Sequence, residues 1–156
     1  MSITEKEVVT IKELLTVIPE IRQQFGVSRN PDVKEALLYC GVAESNIIPA
    51  LTPLIEKYFG KAYKPAGSWA FFKNWFDPFV KAIGGIRTDQ TLFKKDIREN
   101  LWVYCAFWPW GSNPVKTSIR IGIICETDEE EDYLDKQLKS SFSGAAPAQA
   151  TTEAKS

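Results

Sequence analysis

The chain has 156 residues, in which 19 basic side chains balance 20 acidic ones and histidine is absent. This length suits one ordinary domain, and the balanced charge provides no basic face for a nucleic-acid partner. Without imidazole, Ser-His-Asp and Cys-His catalysis, His-ligated zinc and the two-His iron site are excluded within the chain, so neither a metal nor a cofactor is expected.

Three cysteines are too sparse for a disulfide framework. The opening Met-Ser-Ile-Thr-Glu-Lys lacks the basic-then-apolar order of a secretory leader, and no apolar run approaches the roughly 18 residues of a membrane span. A cytoplasmic protein is the expectation.

Thr10-Ile-Lys-Glu13 has the form of a capping box, and Ile11, Leu14, Leu15 and Ile18 fall at helical spacing. Pro19 supplies no amide donor and divides the run. One short helix is predicted to about residue 17, and a second over 19–25, with Gly26 as its stop. Asn30-Pro31-Asp32 repeats a start signal, and Val33, Ala36, Leu37, Tyr39 and Cys40 predict a helix ended by Gly41. Another is expected over 47–59, with Thr52-Pro53 opening its better-formed half. Ser68 is placed to cap a helix over 69–76, and Asp77-Pro78 to start one running to Gly84-Gly85. Residues 86–100 fit either a helix or a strand.

From Leu101 the pattern changes. Residues 101–108 are rich in aromatic and β-branched side chains, and 118–125 alternate with Ile119, Ile121 and Ile123 on one face. Turn chemistry at 110–115 joins them into a hairpin. Two strands alone are seldom stable, so a third is required from 86–93, from Val8-Val9, or from a second chain. With Pro109 opposite Lys116, Cys105 would face Arg120 and Cys125 would face Asn100, too far out of register for a disulfide. Thr127-Asp-Glu-Glu130 forms another capping box before a helix through Leu134, Leu138 and Phe142. The sum is an α+β fold: short N-terminal helices, a C-terminal β-hairpin belonging to a small antiparallel sheet, and a final packed helix. Residues 1–143 form the expected domain, and the Ala/Pro/Thr-rich 144–156 a disordered tail.

All five tryptophans lie between Trp69 and Trp110. Aromatic side chains dominate core and interface energetics alike, and a domain of this size has difficulty burying all of them. Trp69, Phe72, Trp75, Phe76, Tyr104, Trp108 and Trp110 are therefore the candidate partner- or ligand-binding residues. On a helix, Trp69, Phe72 and Phe76 share one face while Phe71 and Trp75 lie elsewhere, and strand alternation puts Trp108 and Trp110 together. Lys61, Lys64, Gly67 and Ser68 form a candidate anion site before a helix start, although the Walker pattern is missing. The basic residues Arg87, Lys94, Lys95 and Arg98 around Phe93 are threaded with Asp89, Asp96 and Glu99, which favours a salt-bridged surface over a nucleic-acid one. The acidic run 128–132 reads as a helix start rather than a cation site.

The leading expectation is a non-catalytic accessory protein that binds a protein partner, or a second copy of itself, through the aromatic region. The alternatives are a module enclosing an apolar small molecule, with Tyr104, Arg120 and Lys73 as polar anchors, and a peripheral membrane subunit. A histidine-independent enzyme using Asp77, Asp96 or Glu99 ranks last, because those carboxylates show no motif spacing.

Overall fold

A computed structural model describes residues 2–68, 71–111 and 114–143, with the backbone alone at 71–73. The expected tail 144–156 and Trp69 lie outside the described residues. Helices α1 (Glu5–Leu15) and α2 (Val17–Phe25) are followed by strand β1 (Leu38–Glu44), a 3-10 turn at Ser45–Ile47 and helix α3 (Ile48–Phe59). Short helices α4 (Phe71–Phe76) and α5 (Pro78–Ala82) lead into β2 (Thr91–Arg98), β3 (Leu101–Pro109) and β4 (Lys116–Ile124). Helix α6 (Asp128–Phe142) follows. All neighbouring strands are antiparallel, in the order β1-β4-β3-β2. The fold is α+β, with the predicted hairpin forming the middle of the sheet.

Alternation divides the sheet into two faces. Leu101, Val103, Cys105 and Phe107 of β3 share the inner face with Ile119, Ile121 and Ile123 of β4 and with Tyr39 and Ala43 of β1. The apolar stripes of α1, α2, α3 and α6 close this core, burying Ile11, Ile18, Leu51, Ile55, Leu134 and Leu138. On the outer face Leu92, Tyr104 and Ala106 meet Phe79 and Val80 of α5 and Ile86 in a smaller core. Strand β3 is apolar without interruption because both of its faces are covered.

Several local expectations are corrected. Thr10 lies inside α1, where its hydroxyl donates to the Lys6 carbonyl (3.0 Å). The helix instead starts at a capping box six residues earlier: Glu7 N donates to Thr4 Oγ1 (3.1 Å) and Thr4 N to Glu7 Oε1 (2.9 Å). Pro19 is the third residue of α2, still within the first turn, where no amide donor is required. Helix α3 begins four residues before Thr52 and accommodates Pro53 internally.

The predicted helix over 30–41 does not form. Asn30 Oδ1 accepts from Asp32 N (3.0 Å), closing a turn instead of capping a helix, and Leu37 adopts a φ of 57°, outside helical space. The chain then enters β1, and Asn30 N donates to the Cys40 carbonyl (2.7 Å) at that strand's free edge. Gly41 is required there, since a Cβ would stand 2.6 Å from Val27 Cγ1. The partners of the hairpin are thus β1 and residues 91–98, while Val8 and Val9 belong to α1.

The hairpin register also differs by one residue. Pro109 faces Thr117 and Cys105 faces Ile121, because Trp110 N bonds the Lys116 carbonyl (3.0 Å) and Lys116 is paired with Glu44 of β1. A one-residue slip moves every side chain to the opposite face relative to its neighbours, so Arg120 shares the outer face with Ala106 and Trp108. The three cysteines are free: Cys105 is inside the core and Cys125 follows the end of β4.

Arg98 joins the two helix starts. Its guanidinium lies 3.6 Å from Glu7 and 2.8 Å from Glu130, the capping-box glutamates of α1 and α6. Burial would raise the Glu130 carboxyl, but hydrogen bonds from the Glu126 and Thr127 amides, aided by Arg98, outweigh it and hold the group below its usual 4.5. A lowered folded-state pKa adds stability that is complete above the unfolded value and is lost as pH falls through the folded one. Glu130→Gln should therefore lower the unfolding free energy by about 1–3 kcal/mol at pH 7. The deficit should shrink as the pH is taken below about 4.5, as measured by urea denaturation at both pH values. An equal deficit throughout would contradict this account.

Candidate functional site

The α4–α5 corner is built by local polar contacts. Asp77 caps α5, its Oδ1 accepting from Phe79 N (2.9 Å) and Val80 N (3.3 Å), with Pro78 at the first helical position. Its other oxygen accepts the Tyr63 hydroxyl. Asn74 forms a two-bond clasp with Ile86, donating to its carbonyl (2.9 Å) and accepting from its amide (2.7 Å). Arg87 carries the following segment to the sheet, donating to the Pro109 carbonyl (2.9 Å) and pairing with Asp89 (3.1 Å).

These contacts frame an open surface cleft of about 840 Å³, bounded by Asn74, Trp75, Lys81, Gly85, Arg87 and Trp108. Trp75 at its lip is 61% exposed, and Phe76 beside it 69%, with ring centroids 6.1 Å apart. Of Phe72 only its place in α4 is described. A second open hollow of about 520 Å³ is lined by Phe76 with Tyr63, Asp77, Phe79, Lys94 and Trp102.

The remaining aromatic candidates divide. Tyr104 is buried, edge-on to Phe79, and burial pushes its hydroxyl up to about 12 against the opposing pull of Arg120. Trp108 is half-buried, forming a wall of the cleft and stacking on Arg120, whose guanidinium carbon is 4.5 Å from the ring centroid. Trp110 is 39% exposed, and its indole N–H donates to Ser118 Oγ (2.9 Å). Trp108 and Trp110 thus meet at Ser118, as alternation suggested, but with unequal burial.

The four residues of the candidate anion site are not assembled around a free anion seat. The Lys64 ammonium is buried on three backbone carbonyls, of Arg87 (3.0 Å), Thr88 (2.6 Å) and Gln90 (2.7 Å). Lys61 pairs with Glu56 (3.6 Å), and the amides of Gly67 and Ser68 donate to Thr88 and Pro65. Lys64 therefore secures the loop before β2, consuming the donors that an anion would need.

Two of the three carboxylates considered for catalysis are likewise engaged. Asp77 holds α5 and Tyr63, Asp96 pairs with Lys94 (3.2 Å), and Glu99 stands in the exposed β2–β3 turn. Burial, then the Asp77 hydrogen bond, raises the Tyr63 hydroxyl to about 12, which keeps it protonated near neutral pH. The Lys94 ammonium lies 4.5 Å from the Tyr63 ring centroid and 5.3 Å from that of Phe79. Arg87, Lys94 and Arg98 of the basic cluster are thus paired with carboxylates, and Lys94, Lys95 and Arg98 lie on strand β2 rather than on a helix.

Among the described residues no helix is long and apolar enough to cross a membrane. Comparison of the chain with known protein families, with curated proteins and with solved structures gives no match.

The unequal burial of the hairpin tryptophans has a measurable consequence. Trp110→Ser should cost about 1 kcal/mol, since the indole is 39% exposed and its hydrogen bond to Ser118 is open to solvent. Trp108→Ser should cost about 2–3 kcal/mol, part of the usual penalty for truncating a buried tryptophan. Denaturant unfolding of the two single variants measures both, and equal costs would contradict this assignment.

Proposed function

We propose that this chain is a non-catalytic interaction protein which holds a protein partner at the α4–α5 corner. Trp75 and Phe76 are the anchors and the adjoining cleft is the seat. The observation that carries this reading is the exposure of two neighbouring large aromatics, Trp75 at the lip of the 840 Å³ cleft and Phe76 beside it on the adjoining hollow. Scattered exposed apolar side chains need no explanation, but contiguous ones beside a concave surface mark interaction sites. Aromatic anchors also supply a large share of the energy at protein interfaces.

The cleft's shape favours a protein segment over a small molecule. Ligand pockets enclose most of their ligand's surface, whereas this cleft is open to solvent. Lys81 and Arg87 give it the polar rim usual around an apolar interface centre. An aromatic-lined small-molecule pocket, a homo-oligomer interface and a membrane-surface contact are the other readings that the same corner admits.

The double variant Trp75→Ser/Phe76→Ser tests the proposal. Its unfolding free energy should stay within about 1 kcal/mol of the parent, because both side chains are already largely solvated. Immobilised parent and variant, exposed to the same cell extract, should differ by a stoichiometric partner retained only by the parent. Sedimentation velocity and liposome flotation of the purified forms distinguish self-association and lipid binding from a foreign protein. Identical retention by parent and variant would sink the reading.

A further inference from the structure

We propose that the cleft at the α4–α5 corner takes an acidic peptide segment, one in which an Asp or Glu stands beside a large apolar side chain. The inference rests on the reading of that corner as a protein-binding site and names the chemistry of the partner. The polar side chains of the cleft's lining are those of Asn74, Gln90, Lys81 and Arg87, with no Asp or Glu among them. Asn74 is clasped to Ile86 through both its polar atoms, and Gln90 Oε1 accepts from Arg87 N (2.7 Å), which fixes the two amides. The cations keep uncommitted donors. The Lys81 ammonium is exposed and makes no ion pair among the described residues. Arg87 engages Asp89 and the Pro109 carbonyl through Nε and one terminal nitrogen, and its other terminal nitrogen has no partner among the described residues.

A third positive charge stands behind the same wall. The Lys64 ammonium is fully buried on the carbonyls of Arg87, Thr88 and Gln90, and its bonded partners include no carboxylate. Buried charge is screened far less than exposed charge, so this ammonium raises the potential of the wall that Arg87 and Gln90 present to the cleft. The carboxylate opposing these three cations is Asp89, whose side chain is 55% exposed and open to solvent screening. Three charges of one sign against one leave the cleft positive. Trp75 and Trp108 give it aromatic walls for an apolar side chain, and Lys81 and Arg87 supply the donors for an acidic neighbour. Tryptophans and cations also suit a single-stranded nucleic acid, but a phosphate chain needs cations along its path. The adjoining hollow holds Asp77, and its Lys94 is paired with Asp96, so the positive field is confined to the cleft.

A displayed library of random short peptides, selected on the immobilised intact chain, supplies the probe. The recovered sequences should carry Asp or Glu next to an aromatic or large aliphatic residue. A recovered peptide, synthesised with blocked ends, should bind Lys81→Glu about tenfold more weakly than the parent in fluorescence anisotropy. Lys81→Arg should retain most of the affinity, and the amide NMR spectrum establishes that each variant is folded. Binding should weaken as sodium chloride is raised, and changing the peptide's acid to its amide should remove most of that salt dependence. The inference is overturned by recovered peptides that are neutral or basic, by parent-like affinity of a folded Lys81→Glu variant, or by a selection that returns no peptide. Single-stranded DNA displacing the peptide at a lower concentration than the peptide itself requires also overturns it. The Trp75→Ser/Phe76→Ser variant separates this inference from the reading beneath it. Peptides lost with that variant but indifferent to Lys81→Glu leave the corner as a protein-binding site and refute its acidic preference. Peptides that survive it but are lost with Lys81→Glu uphold the acid-binding cleft and refute the aromatic anchors.

Discussion

The architecture depends on burying both faces of β3. Leu101, Val103, Cys105 and Phe107 point into the core under α1, α2, α3 and α6, while Tyr104 and Ala106 point into the smaller core under α5. A strand apolar on both faces must be covered on both, and the order β1-β4-β3-β2 places it inside the sheet, paired on either side. Register then decides the rest. With Cys105 against Ile121, the isoleucines of β4 join the inner core, and Ser118, Arg120 and Gly122 are left on the outer face.

The two faces are covered very unequally. Four helices, three of them of eleven residues or more, close the inner side. On the outer side the five-residue α5 supplies Phe79 and Val80 over Leu92, Tyr104 and Ala106. Helices this short have no stability of their own, and here they are held by specific polar contacts: the Asp77 cap, the Asn74–Ile86 clasp and the Lys64 ammonium on its three carbonyls. The exposed aromatics Trp75 and Phe76 on the light layer are a consequence of this asymmetry.

Elements signalled by a few neighbouring residues were legible in the sequence. The α6 capping box, the Asp77-Pro78 start of α5, the Gly26 stop and the alternating isoleucines of β4 are local features, and each appears where its chemistry placed it. Strand β1 was hidden because Asn30-Pro31-Asp32 makes the same side-chain bonds in a turn as at a helix start, and only pairing with β4 distinguishes them. The α1 cap was misplaced because Thr4 and Thr10 both precede a glutamate by three residues. At the site, aromatic density pointed to Trp75, Phe76 and Trp108. The burial of Lys64 and the stacking of Arg120 on Trp108 could not be read from sequence, because each depends on which backbone or strand lies opposite in space.

Native-state hydrogen exchange tests the central claim, that a sheet stabilised from its inner face carries a lightly held outer layer. The amides of Val103, Cys105 and Phe107 should exchange only through global unfolding. Those of Val80 and Ile83 should exchange through a smaller opening, several kcal/mol less costly, that leaves β3 protected. If the α5 amides share the free energy and denaturant dependence of the β3 amides, the two layers are a single cooperative unit and the account is contradicted.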